Sequence, residues 1–178
     1  MFKRHTHIMM NKPAGVLTAT EDRAQKTVLD ILPDSLRPRD LGPIGRLDKD
    51  TTGLLLLSTD GQLAHRLISP RHHVDKEYLA RVDGVLDESD IEAFKAGIEL
   101  SDFTALPAGL EIVEPSLARV ILREGKYHQV KRMIAAVGGT VTALKRLRLG
   151  GLWLDKTLAP GEFRELTQEE LEKLTSQT

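Results

Sequence analysis

Apolar positions along the chain fall into short runs that switch between the two periods of regular structure. Alternation or unbroken apolar runs bounded by Gly, Pro or Asp indicate strands, and spacings of three and four indicate helices. Residues 7–11 form a strand on this reading, ended by Lys12-Pro13 and Gly15, and 27–32 a short helix. Residues 53–58, which include four consecutive leucines, form an apolar strand, and 62–68 a helix that breaks at Ser69-Pro70. A strand over 78–82 leads to a helix over 87–96, which opens on acidic residues and stops at Gly97. Residues 110–113 and 117–123 pair through a turn at Glu114-Pro115-Ser116. Residues 127–137 form a helix closed by Gly138-Gly139, and 141–149 a strand. A terminal helix over 167–174 carries a capping box, Thr167 with Glu170. Strands and helices alternate irregularly, which predicts an α+β fold with a mixed, largely antiparallel sheet flanked by helices. The chain reads as one domain, 1–178, with a lobe boundary near 69–71.

Composition narrows the class. The chain has 178 residues and is 40% apolar, enough for a real core. Its longest aliphatic run, residues 54–57, is far short of a membrane span, and no signal-length apolar stretch follows Met1-Phe2-Lys3-Arg4-His5. There is no cysteine, hence no disulfide and no thiolate metal site. A cytoplasmic protein without membrane contact is expected. The net charge of −1 is unlike that of a typical nucleic-acid binder, but its distribution is polarised. Residues 82–114 carry −8 and residues 115–154 carry +7. Such blocks can be solvated faces that offset one another, or a local field that steers an anionic partner.

Three stretches can carry chemistry. Gly45-Arg46-Leu47-Asp48-Lys49-Asp50-Thr51-Thr52-Gly53 is a polar loop feeding directly into the leucine strand. A loop held by a rigid strand is a common seat for a functional carboxylate, although the pattern also fits an ordinary capped turn. In the stretch from Glu124 to Met133, helical spacing places Tyr127, Val130, Met133, Ile134 and Val137 on one face. Lys131 lies at the rim of that face, where it either snorkels to water or meets an anionic partner such as a loop Asp; His128 and Arg132 point outward. In Leu144-Lys145-Arg146-Leu147-Arg148-Leu149, strand alternation puts Arg146 and Arg148 on the same side, suited either to phosphate contacts or to a solvated face. His65, His72 and His73 lack the spacing of a metal site, and a phosphate- or base-facing role for Arg71 and His72 is the better expectation.

Read together, these stretches resemble the motifs of the pseudouridine synthases, in particular the RsuA branch that acts on ribosomal RNA. The resemblance is carried by Gly45-Arg46-Leu47-Asp48 with Thr51-Thr52-Gly53-Leu54, by Ser69-Pro70-Arg71-His72-His73 with Lys76-Glu77-Tyr78-Leu79, and by the stretch from Glu124 to Met133. Asn11-Lys12-Pro13-Gly15 (with Ala14 between the last two) and Leu158-Ala159-Pro160-Gly161-Glu162 also match, so it covers nearly the whole chain. It implies a pseudouridine synthase catalytic domain whose central sheet is crossed by an RNA-binding cleft, with no cofactor and no metal. It assigns the catalytic carboxylate to Asp48, the tyrosine that stacks on the target base to Tyr78, and the basic partner of the carboxylate to Lys131. Arg46 is placed to hold the flipped nucleotide. Arg71, His72, His128, Gln129, Arg132, Arg146 and Arg148 are the remaining candidate RNA contacts.

Relatives of this branch carry a small S4 RNA-binding domain ahead of the catalytic one. Here the Asn11-Lys12-Pro13 strand comes almost at once, so the expectation is a catalytic domain without an S4 domain. The implied activity is isomerisation of a uridine in 16S small-subunit rRNA, free or in a partly assembled subunit, by a monomer. A 23S large-subunit target is the alternative within the family. A non-catalytic RNA-binding module for ribosome assembly, or a hydrolase using the histidines, are the alternatives outside it.

Overall fold

The structure, a computed structural model, describes residues 4–69 and 71–175. The expectations that rest on Met1, Phe2, Lys3 and Pro70 lie outside the described residues. The strands are β1 (His7–Lys12), β2 (Gly42–Ile44), β3 (Thr52–Ser58), β4 (Lys76–Asp83), β5 (Gly109–Glu114), β6 (Leu117–Leu122), β7 (Thr140–Leu149), β8 (Leu152–Trp153) and β9 (Phe163–Glu165). The helices are α1 (Val28–Ile31), α2 (Gly61–Ile68), α3 (Glu88–Ala96), α4 (Gln129–Ala136) and α5 (Gln168–Thr175).

All the strands join one sheet in the order β5-β6-β4-β7-β3-β1-β9, with β2 added to β3 and β8 to β7. Every pairing is antiparallel except β3 with β7, so the expected mixed, largely antiparallel sheet is what forms. The exception is brief, with only Thr52↔Lys145 and Gly53↔Arg146 in register. It is the seam between two antiparallel halves, β5-β6-β4-β7 and β3-β1-β9.

The leucine run follows from this topology. Leu55 and Leu57 enter the larger core with Ile8, Met10 and Met133, while Leu54 and Leu56 enter a second core with Met9, Leu63 and Leu67. A strand covered on both faces needs apolar residues at every position. Asp60 caps α2 by accepting from the Gln62 and Leu63 amides, and α3 and α5 open on reciprocal capping boxes, Asp87 with Asp90 and Thr167 with Glu170.

Candidate active site

The polar loop before β3 is fixed from below. Lys12, at the end of β1, is fully buried, and its amine donates to the carbonyls of Pro13 (3.0 Å), Lys49 (3.1 Å) and Thr51 (2.8 Å). Burial pushes its pKa down to about 8, against the pull of Asp50 and Asp48. The Thr18 hydroxyl donates to the Leu47 carbonyl at 2.8 Å and accepts from the Leu47 amide at 3.3 Å. Leu47 itself is anchored in the larger core. The Thr51 amide closes the turn onto the Asp48 carbonyl at 3.0 Å. The Asp48 side chain is therefore held by backbone that has little freedom to move.

Asp48 faces the start of α4. His128 Nε2 lies 3.3 Å from one of its carboxylate oxygens and Lys131 Nζ 3.6 Å from the other. Lys131 is shared, because it also donates to Asp50 at 2.8 Å. Burial works against the Lys131 charge, but its bond to Asp50 and the charges of Asp50 and Asp48 outweigh it, and its pKa is raised. The same bond, ahead of a smaller opposing effect of burial, lowers the pKa of Asp50. The ammonium is thus charged at any physiological pH, beside the carboxylate that the sequence singles out.

These groups line a cleft of about 820 Å³ at the seam of the sheet. Tyr78 of β4 is buried on its floor, and Arg46 stands exposed at its rim. Asp48, Lys131 and Tyr78 come from three separate elements and converge in this one cleft.

Several expectations are corrected. The helix begins at Gln129 rather than at 127, because His128 takes a left-handed conformation (φ 51°). Tyr127 consequently leaves the apolar face: it is 75% exposed and its ring stacks on that of His128. His128, expected to point outward, turns into the cleft instead. Arg146 and Arg148 do not share a face. A register shift lets Glu77 pair with Arg148 and the adjacent Tyr78 pair with Arg146, so Leu147 is extra and the two arginines project to opposite sides. Arg146 reaches the cleft. Arg148 lies on the far face, held by Glu77 at 3.0 and 3.2 Å and by the Gly150 carbonyl at 2.8 Å, with its guanidinium over the Trp153 ring.

Other candidates have structural partners. Gln129 is buried and donates to Glu124 at 3.0 Å while accepting from the Lys126 amide at 3.1 Å, which braces the entry to α4. Arg132 bonds Asp102 and lies over the Phe103 ring, outside the cleft. Arg71 and His72 are exposed between α2 and β4 and do not line the cleft. Among the described residues, no three His, Asp or Glu side chains group as a metal site needs.

Sequence reasoning passed over Asp50, Lys12 and Lys76. Asp50 was visible as a second carboxylate two positions after Asp48 in a loop already chosen. Lys12 carried a weaker signal, a lone lysine ending an apolar strand just before proline. Arg148→Ala follows as a test of its reassignment. It strands Glu77, whose side chain is 6% exposed, with only Arg119 at 3.6 Å. We expect a loss of about 2–3 kcal/mol in a denaturant melt, since removing one partner of a buried pair leaves an uncompensated charge. The salt dependence of RNA binding should not change; a flatter slope would return Arg148 to the RNA surface.

A clamped aspartate, a shared lysine and a buried tyrosine thus meet in one cleft of a sheet split by a seam. Residues 6–136 match the family model of RNA pseudouridylate synthase. The chain is 48% identical over 97% of its length to an uncharacterized RNA pseudouridine synthase of Bacillus subtilis (strain 168), YtzG, and covers 74% of that protein. It is 46% identical over 93% of its length to ribosomal small subunit pseudouridine synthase A of Escherichia coli (strain K12), covering 72% of it. It superposes on a crystal structure of a pseudouridylate synthase with a TM-score of 0.91 at 40% identity, over 97% of this chain and 75% of that one. The chain belongs to the RNA pseudouridylate synthase family and is an isomerase.

Proposed function

We propose that the chain converts a uridine of small-subunit (16S) ribosomal RNA to pseudouridine, with Asp48 as the catalytic carboxylate. The observation that carries the reading is the contact of Asp48 with His128 and Lys131 inside a cleft floored by Tyr78. The small-subunit target is supported by the 46% identity to ribosomal small subunit pseudouridine synthase A. The reaction breaks the N1–C1′ glycosidic bond, turns the uracil and rejoins it through C5. Asp48 either attacks the sugar or takes a proton from it, and both roles require an ionised carboxylate. Lys131 supports that ionised state by charge and by position. The uridine leaves its stack to reach this depth, and Tyr78 offers the surface that receives the base. No step calls for an oxidant or a cofactor.

Mapping pseudouridine in rRNA from cells with and without the protein tests the assignment. Loss of one 16S site, restored by the wild-type chain and not by Asp48→Asn, is the expected result. A site lost from 23S rRNA instead would move the target to the large subunit.

Lys131→Met should lower turnover about a hundredfold, with RNA affinity changed far less, because the lost charge acts on the reacting state. Lys131→Arg should recover part of the rate. Single-turnover rates and filter binding check this, and a selective loss of affinity would contradict it.

A further inference from the structure

Two cations that line the cleft are only partly satisfied by the protein. Arg146 is 3% exposed; its Nε donates to the Leu54 carbonyl at 2.9 Å, while its Nη2 is buried with no hydrogen-bond partner. Lys76 lies two residues before Tyr78 on β4, and its amine reaches only the Val74 carbonyl, at 3.5 Å. Burial first, then the charge of Arg146, lowers the Lys76 pKa; Asp75 and Glu124 oppose this only through longer-range attraction. Asp75 is engaged by Arg123 at 3.6 Å, and Glu124 by Gln129 and the Leu106 amide. Both cations line the cleft beside Tyr78, which is paired across the strands with Arg146. Two desolvated positive groups side by side, without a carboxylate between them, are unfavourable in the empty protein. They become favourable when an anion enters.

We propose that Arg146 and Lys76 receive the uracil anion that exists between cleavage of N1–C1′ and formation of the new C5–C1′ bond, donating hydrogen bonds to its carbonyl oxygens. This deepens the reading of the cleft given above and rests on it. When N1–C1′ breaks, its electron pair stays on the base, and the negative charge spreads from N1 onto O2 and O4. The new bond forms from C5 to C1′, the C5 proton leaves, and N1 takes up a proton, so the RNA's composition is unchanged. The charge on the base is transient. Donors fixed before it forms stabilise it without reorganising, and in a dry site they act strongly.

Depth favours the base over a phosphate as the anion. Arg46 and Lys126 stand exposed at the cleft, where a solvated backbone can meet them. Arg146 and Lys76 line the cleft with the buried Tyr78, where a base stacked on that ring would lie.

The test uses Lys76→Met and Arg146→Met in the full chain, on uridine-containing RNA and on the same RNA with 5-fluorouridine at the target. Wild-type turnover that Asp48→Asn abolishes establishes the underlying reading in the same assay. Each variant should then lose at least about a hundredfold in single-turnover rate on uridine, the scale of one removed oxyanion donor. RNA Kd should stay within about twofold, since the interaction arises only as charge develops. Fluorine makes the departing base a weaker base that needs less help. The deficit, read as loss of the N-linked nucleoside, should therefore shrink severalfold on 5-fluorouridine, whereas a merely structural role would leave it the same. Arg146→Lys should restore part of the rate. If Arg146→Met does not fold, Lys76→Met decides alone, because its amine makes one long contact. Unchanged rates, or an equal deficit on both RNAs, would overturn the proposal. So would a weakened Kd with a salt slope flattened by about one unit and full rate at saturation, which would mark a phosphate site.

Discussion

Asp48→Asn is expected to lower turnover by at least about a thousandfold while folding and RNA binding survive. Asparagine has the same shape and size, and Lys12 and Lys131 both keep the charge of Asp50 when that of Asp48 is removed. The loop is held through backbone groups: the Lys12 amine on three carbonyls, Thr18 on both polar groups of Leu47, and the Thr51 amide on the Asp48 carbonyl. Lys131 keeps its shorter bond to Asp50, so it is not stranded. What disappears is the one group that can attack the sugar or take its proton, and a neutral amide does neither. The measurement pairs a single-turnover assay with a denaturant melt and filter binding. More than a tenth of wild-type turnover with a native melt would remove Asp48 from the chemistry. The neighbouring substitution gives the contrast. Asp50→Asn weakens the competing hold on Lys131, leaves Asp48 intact, and should cost far less than the thousandfold above.

Much of this was legible before the fold. The long elements followed from periodicity, and the four consecutive leucines of β3 marked an apolar strand. The Asp48 loop stood out because polar residues between two glycines ran straight into that strand. Shorter pieces escaped. β2, β8 and β9 span two or three residues each, too few to show a period, and they form because a neighbouring strand edge is there to pair with. The arginine error has a single cause. Alternation along residues 144–149 is regular in sequence, and only the pairing with β4 shows that Leu147 is extra. The same holds for His128, whose left-handed backbone redirects it from solvent to Asp48. The first is set by the pairing of β4 with β7 and the second by one left-handed residue ahead of α4, and a local hydrophobic pattern carries neither.

Gly53→Ala should be the most damaging single substitution to stability, because it strikes the seam of the sheet. Gly53 has φ +102°, and a Cβ there would lie 2.2 Å from the Arg146 carbonyl oxygen and 2.7 Å from the Arg146 amide nitrogen. Those are backbone atoms of a paired strand, so they cannot step aside as a flexible side chain does. β3 and β7 would have to separate at one of the only two register pairs that join the halves of the sheet. We expect a loss of at least about 4 kcal/mol, the range reached by steric overlap added to backbone strain. Activity should fall further than stability alone accounts for, since the same spot ends the Asp48 loop and carries Arg146. Gly15→Ala is the control. Its φ is +93°, yet a Cβ there would meet nothing within 4 Å. It should therefore show the conformational cost alone, about 1–2 kcal/mol. Denaturant midpoints of the two variants measure the difference. If Gly53→Ala melts within about 1 kcal/mol of Gly15→Ala, β3 and β7 do not approach as closely as this fold requires, and the joining of Asp48 to the Tyr78 floor would have to be explained by other contacts.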